Sequence, residues 1–288
     1  MRNRHLPAAA GLGFRIPSLP SLSALGIVAC LAAAVPGASA RAQTADAPAD
    51  AASSTVVAAP AERQPEALGA LTKMGDYLRS LARFEVDATS ATDAVLDNGQ
   101  TVSFAHRTEL KVQRPNRLRA DVTGSRGPRG LVYDGATFTI FNTNKRYYSK
   151  NPAPDSIDGL VRELSTTYGI ETPLADLFYW GNGKVDDTAL TSALFIGLER
   201  IDSRWCNHYA YRQDGADWEL WLQTGSRPLP CRMIITDTTQ PARPRHAVTY
   251  HWTLNPSFSS STFIYRPPAD ARAITLRPAP QAPLEESE

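Results

Sequence analysis

The sequence predicts an α+β fold: one strongly curved, mostly antiparallel half-barrel sheet of about eleven strands, with helices over its concave face. Three observations lead there. Apolar and polar residues alternate, the period of a half-buried strand, through most of residues 83–265. Helical spacing is confined to three short stretches, one ahead of the strands and two in their middle. So many strands do not stay flat, and three short helices fill a bend less tightly than a second sheet would. A partly open barrel with an apolar cavity under the helices fits that inventory.

The elements follow in chain order. Residues 1–40 read as an export signal, with Arg2, Arg4 and Arg15, the apolar run Leu22–Val35, and the small-x-small site Ala38-Ser39-Ala40. Ala40-Arg41-Ala42 is a second such site, so cleavage is expected near Ala40 or Ala42. The apolar run falls short of the roughly 20 residues that span a membrane. Ile27-Val28-Ala29-Cys30 also resembles a lipoprotein box in which Cys30 would carry lipid; the competing reading is an ordinary apolar cysteine. Arg41–Gln64, rich in Ala and Pro, reads as a flexible linker, 65–276 as the folded unit and Arg277–Glu288 as a disordered tail. The formal charge of +1 becomes about −2 once a leader with three Arg and no acid is removed, which argues against nucleic acid as a partner.

Within the folded unit, Leu68, Leu71, Met74, Leu78 and Leu81 mark a helix over Pro65–Leu81. Strands are expected at Thr101–Gln113, from Arg117, at Gly130–Tyr133, Thr137–Phe141 and Arg146–Ser149. Helices are expected at Asp155–Tyr168 and at Pro173–Trp180, the second capped by Thr172. Strands resume near Ala193–Leu198, continue through the three-strand block Trp205–Asp237 and Thr249–Thr253, and end at Thr262–Tyr265. One hairpin is in conflict with itself. A two-residue turn at Asn98-Gly99 would put Glu85, Asp87 and Asp93 on the face of Val102, Phe104 and Leu110. A slip of one residue aligns Phe84, Val86 and Leu96 with that face instead, so a three-residue loop or bulge is expected near Gly99.

Catalytic patterns are missing. There is no HExxH, nucleophile elbow or phosphate loop, and Gly124–Gly130 carries Pro128 where a phosphate cradle needs an amide. His246 and His251 fall on opposite faces of one strand, His106 reads as a core histidine, and Asp97-Asn98-Gly99 and Asp186-Asp187 read as turns. No cofactor or metal is expected. The basic residues Arg107, Lys111, Arg117 and Arg119, with Arg114, Arg126 and Arg129, occupy polar rows of adjacent strands. They read either as a solvated outer face or as a docking patch for an acidic partner or anionic lipid. Cys206 and Cys231 invite a disulfide in an exported chain. A flat meander would hold them roughly 9–10 Å apart, so the bond needs the Pro228–Pro230 segment to leave the ladder, and bonded and free readings both stand.

The segment Trp205–Pro268, with DWELWL, the Pro228–Pro230 turn, RMIITD and the closing STFIYRPPADA, resembles an exported bacterial family, domain of unknown function 2092, grouped with the LolA-like and RseB-like superfamily. The resemblance extends over the whole folded unit. It implies a LolA-like half-barrel whose middle helices form a lid over a hydrophobic cavity, and it offers no catalytic residue. Phe138, Ile140, Trp218, Leu220 and Leu222 on the sheet would then face Leu160, Leu164, Leu177 and Phe178 on the lid, either as a dry core or as the lining of a ligand site. The function implied is a non-catalytic periplasmic protein binding acyl chains of lipid or lipoprotein. The alternatives are an envelope sensor or adaptor docking another protein and, third, a hydrolase.

Overall fold

The computed structural model describes residues 62–125, 127–180 and 187–279. The stretch read as an export signal, with Cys30, most of the stretch read as a linker, Arg126, Asp186 and the residues beyond 279 lie outside the described residues. In chain order the elements are α1 (Pro65–Ser80), β1 (Arg83–Val95), β2 (Thr101–Gln113), β3 (Arg117–Gly124), β4 (Arg129–Tyr133), β5 (Thr137–Asn142), β6 (Tyr147–Pro152), α2 (Ile157–Tyr168), α3 (Asp176–Trp180), a 3₁₀ turn at Asp187–Ala189, β7 (Leu190–Ile201), β8 (Arg204–Gln213), β9 (Ala216–Gln223), β10 (Pro230–Asp237), β11 (Arg245–Leu254) and β12 (Arg272–Ala273).

The strands form one unclosed, curved 12-stranded sheet in the order β12-β6-β5-β4-β3-β2-β1-β11-β10-β9-β8-β7. Every pairing is antiparallel except β12 on β6. Two meanders meet at β1, which pairs with β2 on one side and with β11 on the other. The helices α2 and α3 fall between the meanders in sequence and cover the apolar face.

The first hairpin has the slipped register. Leu96 donates its N–H to Gln100 O at 2.8 Å, leaving a three-residue loop in which Gly99 has φ +81°. Phe84 thereby pairs with Val112 and Val86 with Leu110. The charged residues Glu85 and Asp87 are thrown to the convex face, because the side-chain period of a strand is two.

The helices follow their caps and their apolar stripes. Ser156 Oγ accepts the Gly159 N–H at 3.2 Å to start α2, and Gly169, at φ +64°, ends it. In α1, Ala67, Ala70, Leu71, Met74 and Leu78 are buried. Gly75 lets α1 approach α3, since a Cβ there would lie 2.6 Å from Trp180 O.

Three expectations need correction. The helix expected over Pro173–Trp180 is α-helical only from Asp176, because Leu174 takes a left-handed conformation at φ +57° and interrupts it. The Thr262–Tyr265 stretch is a turn, not a strand: its alternation finds no ladder partner, and the last strand is the two-residue β12. The face of β2 that carries Val102, Phe104 and Leu110 is buried only at its far end, with Leu110 and Val112 covered and Phe104 exposed.

The chain after β11 is a strap over the convex face of β3–β6. Phe263 is buried, Tyr265 stacks on Phe141 at 4.5 Å, and Arg119 Nη1 donates to Thr262 O at 3.4 Å. The strap then reaches the lid side, where the Ala279 N–H donates to Thr167 O at 2.9 Å.

Candidate functional site

The interface between the helices and the concave sheet is built from alternate residues. On β9, Trp218, Leu220 and Leu222 share a face; their cross-strand partners are Tyr211, Tyr209 and Asn207 of β8 and, for Trp218 and Leu220, Ile235 and Met233 of β10. On β5, Phe138 and Ile140 lie opposite Tyr133 and Leu131. Above them stand Leu160 and Leu164 of α2 and Leu177 and Phe178 of α3. All nine residues named from the sequence therefore meet in one cluster; Ile140 is half-buried and none of the other eight is more than 3% exposed. The interface is packed. The two cavities described lie elsewhere: one of about 380 Å³ under the strap, by Arg119, Phe141 and Tyr265, and one of about 290 Å³ by Asp214 and Asp237.

Aromatic rings run through this interface. Tyr211 stacks on Trp218 at 4.1 Å, and Trp218 on Trp180 of α3 at 6.4 Å, so the sheet meets the lid ring to ring. Polar bonds between the layers include Tyr211 Oη donating to Ala67 O of α1 at 2.9 Å, Tyr133 Oη to Pro154 O ahead of α2, and the Ile157 N–H of α2 to Pro115 O at 3.1 Å.

One carboxyl is caught at this boundary. Burial at the start of α3, with the Glu171 charge adding to it, pushes Asp176 up to about 7. Burial also holds the Tyr250 hydroxyl well above the tyrosine range, and Asp176 raises it further. The folded state thus binds the Asp176 proton more tightly than the unfolded chain does between about pH 4 and pH 7. Stability is therefore expected to fall as pH rises through that window and to level off above it. At full burial the difference would be about 4 kcal/mol; the partial exposure of Asp176 lowers the expectation to about 2 kcal/mol. Asp176→Asn should flatten the slope in urea unfolding at pH 5 and pH 8, and an unchanged slope would remove Asp176 as its source.

Counterions stand beside three residues of the basic row. Arg107 pairs with Asp87, Lys111 lies 3.6 Å from Glu85 and 3.8 Å from Glu109, and Arg119 bonds Asp121 at 2.6 Å. The register that places Glu85 and Asp87 on the convex face supplies these counterions, and the local sequence around the basic strands does not show them. Arg117 is exposed.

Cys206 and Cys231 are bonded, with Cα atoms 6.7 Å apart. The departure from the ladder is one residue later than expected: Pro230 still pairs with Leu222, and Cys231 is the bulged residue before Arg232 pairs with Trp221. The bond belongs to a second cluster on the convex face, with Trp221 and Ile234. Beside it His208 stacks on Trp221 at 4.0 Å, its Nε2 3.1 Å from Glu219 and its Nδ1 3.2 Å from Glu199. Sequence reasoning missed this group. The signal was Trp221 lying on the polar row of its strand.

A family model described as "Predicted periplasmic protein (DUF2092)" matches residues 67–277. No curated protein matches the chain. Among solved structures, an uncharacterised conserved protein from Thermus thermophilus is similar at 11% identity over 73% of this chain and 99% of that one, with a TM-score of 0.44. The lipoprotein LppX of Mycobacterium tuberculosis is similar at 12% identity over 68% and 98%, with a TM-score of 0.43. A LolA superfamily protein from Nitrosomonas europaea is similar at 12% identity over 69% and 97%, with a TM-score of 0.33. At these scores the likenesses carry no argument about function. Among the described residues no helix is long and apolar enough to cross a membrane.

Proposed function

We propose, for a chain that belongs to the DUF2092 family of predicted periplasmic proteins, that it is a non-catalytic carrier or receptor taking up one acyl chain, of a lipid or lipoprotein, between its helices and its sheet. In this reading residues 1–40 direct export and are removed near Ala40 or Ala42. The disulfide suits the oxidising compartment outside the inner membrane.

The observation that carries the reading is the unequal strength of the two layers. The sheet side is a hydrogen-bonded ladder of 12 strands. The helix side is three short helices resting on it mainly through apolar packing. Lifting α2 and α3 would uncover a continuous apolar surface without breaking a ladder, and an acyl chain would cover that surface in their place. Burial is the whole driving force, about 25 cal/mol for each Å² of chain withdrawn from water. No bond is made or broken.

Tryptophan quenching by a brominated fatty acid tests this. An acyl chain seated between the layers touches Trp218 and Trp180, whereas Trp221 faces the convex side. Quenching is expected in the wild type, should fall in Trp218→Phe, and most of it should disappear when Trp180→Phe is added, with affinity for the chain retained. No quenching, together with no acyl chain in an organic extract of the purified protein, would overturn the reading.

A further inference from the structure

We propose that the outer end of the concave face, where Phe195, Leu198 and Trp205 stand exposed on β7 and β8, is the portal by which an acyl chain with an anionic head group reaches the interface. The inference rests on the uptake reading above and deepens it.

The three side chains share the ligand-facing side of the sheet. Phe195 pairs with Tyr209, Leu198 with Asn207 and Arg200 with Trp205, while Tyr209 and Asn207 pair in turn with Leu220 and Leu222. Phe195 and Leu198 are three residues apart and would point oppositely in a regular strand. The bulge at Ile196 brings them to the same face.

Among the described residues no helix covers this end of the face, because of where α1 begins. Gln64 N–H donates to Ala193 O at 2.8 Å, Gln64 Oε1 accepts the Phe195 N–H at 2.7 Å, and the chain then turns into α1 over Tyr211. The helical layer starts there and leaves the β7–β8 end outside it. Leu198 and Trp205 are each 54% exposed and Phe195 36%, on the terminal strand of the described sheet and its neighbour. Grouped apolar exposure of this kind is uncommon on a surface without a binding role.

The bare end is continuous with the interior. Phe195 lies 5.5 Å from Tyr209, Tyr209 6.3 Å from Tyr211, and Tyr211 4.1 Å from Trp218. Exposure falls along this lane from 36% at Phe195 to 4%, 3% and 1%. The head group is indicated by Arg200, exposed on the same face opposite Trp205. Among the described residues no carboxylate pairs with it, so it can hold a carboxylate or phosphate at the water boundary while the tail passes inward.

The test measures uptake of a fluorescent C16 fatty acid and of its methyl ester. Leu198→Ser with Trp205→Ala is expected to slow uptake of both by about tenfold, and Trp205→Ala alone by less, with unfolding midpoints unchanged. Arg200→Gln should weaken only the acid. Transfer from phosphatidylglycerol vesicles carrying the same labelled chain, if lost in parallel, assigns a phospholipid source; loss confined to the free acid assigns a fatty acid. Ile264→Ser with Ile274→Ser, comparably exposed on the strap, should change nothing. Wild-type uptake with an unaffected portal variant overturns the portal and leaves the uptake reading standing. Equal loss in the strap variant overturns it as unspecific adsorption. No uptake by the wild type overturns both.

Discussion

Replacing Trp218 with alanine is expected to destabilise the domain by about 3–5 kcal/mol, among the larger effects a single substitution produces. Trp218 is 1% exposed and lies between Tyr211 at 4.1 Å and Trp180 at 6.4 Å. Its removal takes away the transfer energy of a large ring and leaves a void that its neighbours cannot fill, because one belongs to a laddered strand and the other to a short helix. Trp205→Ala, on an exposed ring of the same kind, should cost less than about 1 kcal/mol. The urea midpoints of the two variants measure the contrast. A small loss at Trp218 would mean that the helices are not held to the sheet through this stack.

Loss of the Cys206–Cys231 bond should cost about 3–4 kcal/mol in the chain-entropy model, given a sequence separation of 25 residues. The bond fastens a corner where several strand ends converge. Trp252 Nε1 donates to Pro230 O at 2.8 Å, and Arg204 reaches from β8 to Tyr250 O at 2.6 Å. Both cysteines are fully buried, so alanine at both positions removes the bond without leaving buried thiols. Reduction should lower the wild-type midpoint to near that of the double variant and leave the variant unmoved. Two free thiols in the unfolded, unreduced protein would show that the bond does not form.

Much of the fold was legible because a strand writes its burial into every second residue. Thr101–Gln113 was readable to its ends, and the slipped hairpin followed from keeping Glu85 and Asp87 out of an apolar face. The same alternation misled at Thr262–Tyr265, where Phe263 is buried as part of a strap rather than in a ladder. The basic row left two readings open for a related reason. Its counterions Glu85 and Asp87 sit on β1, and charge counted along β2 and β3 does not include them.

The sequence by itself determined which side chains share a face within each element: the apolar rows of the sheet and the apolar stripes of the helices from which the nine interface residues come. Those features depend on local period and on turn chemistry, which neighbouring residues carry. Only the tertiary structure decided the rest. Pairing of Phe84 with Leu254 puts β1 inside the sheet rather than at its edge. Attachment of residues 62–64 to Ala193 sets where α1 begins, and so which end of the apolar face stays bare. The bulge at Cys231 lets the sulfurs meet across β9, and Trp221 carries His208 on the outer face. Each of these rests on pairings between residues far apart in the chain, and the spacing of residues along one strand holds no record of which distant strand lies beside it.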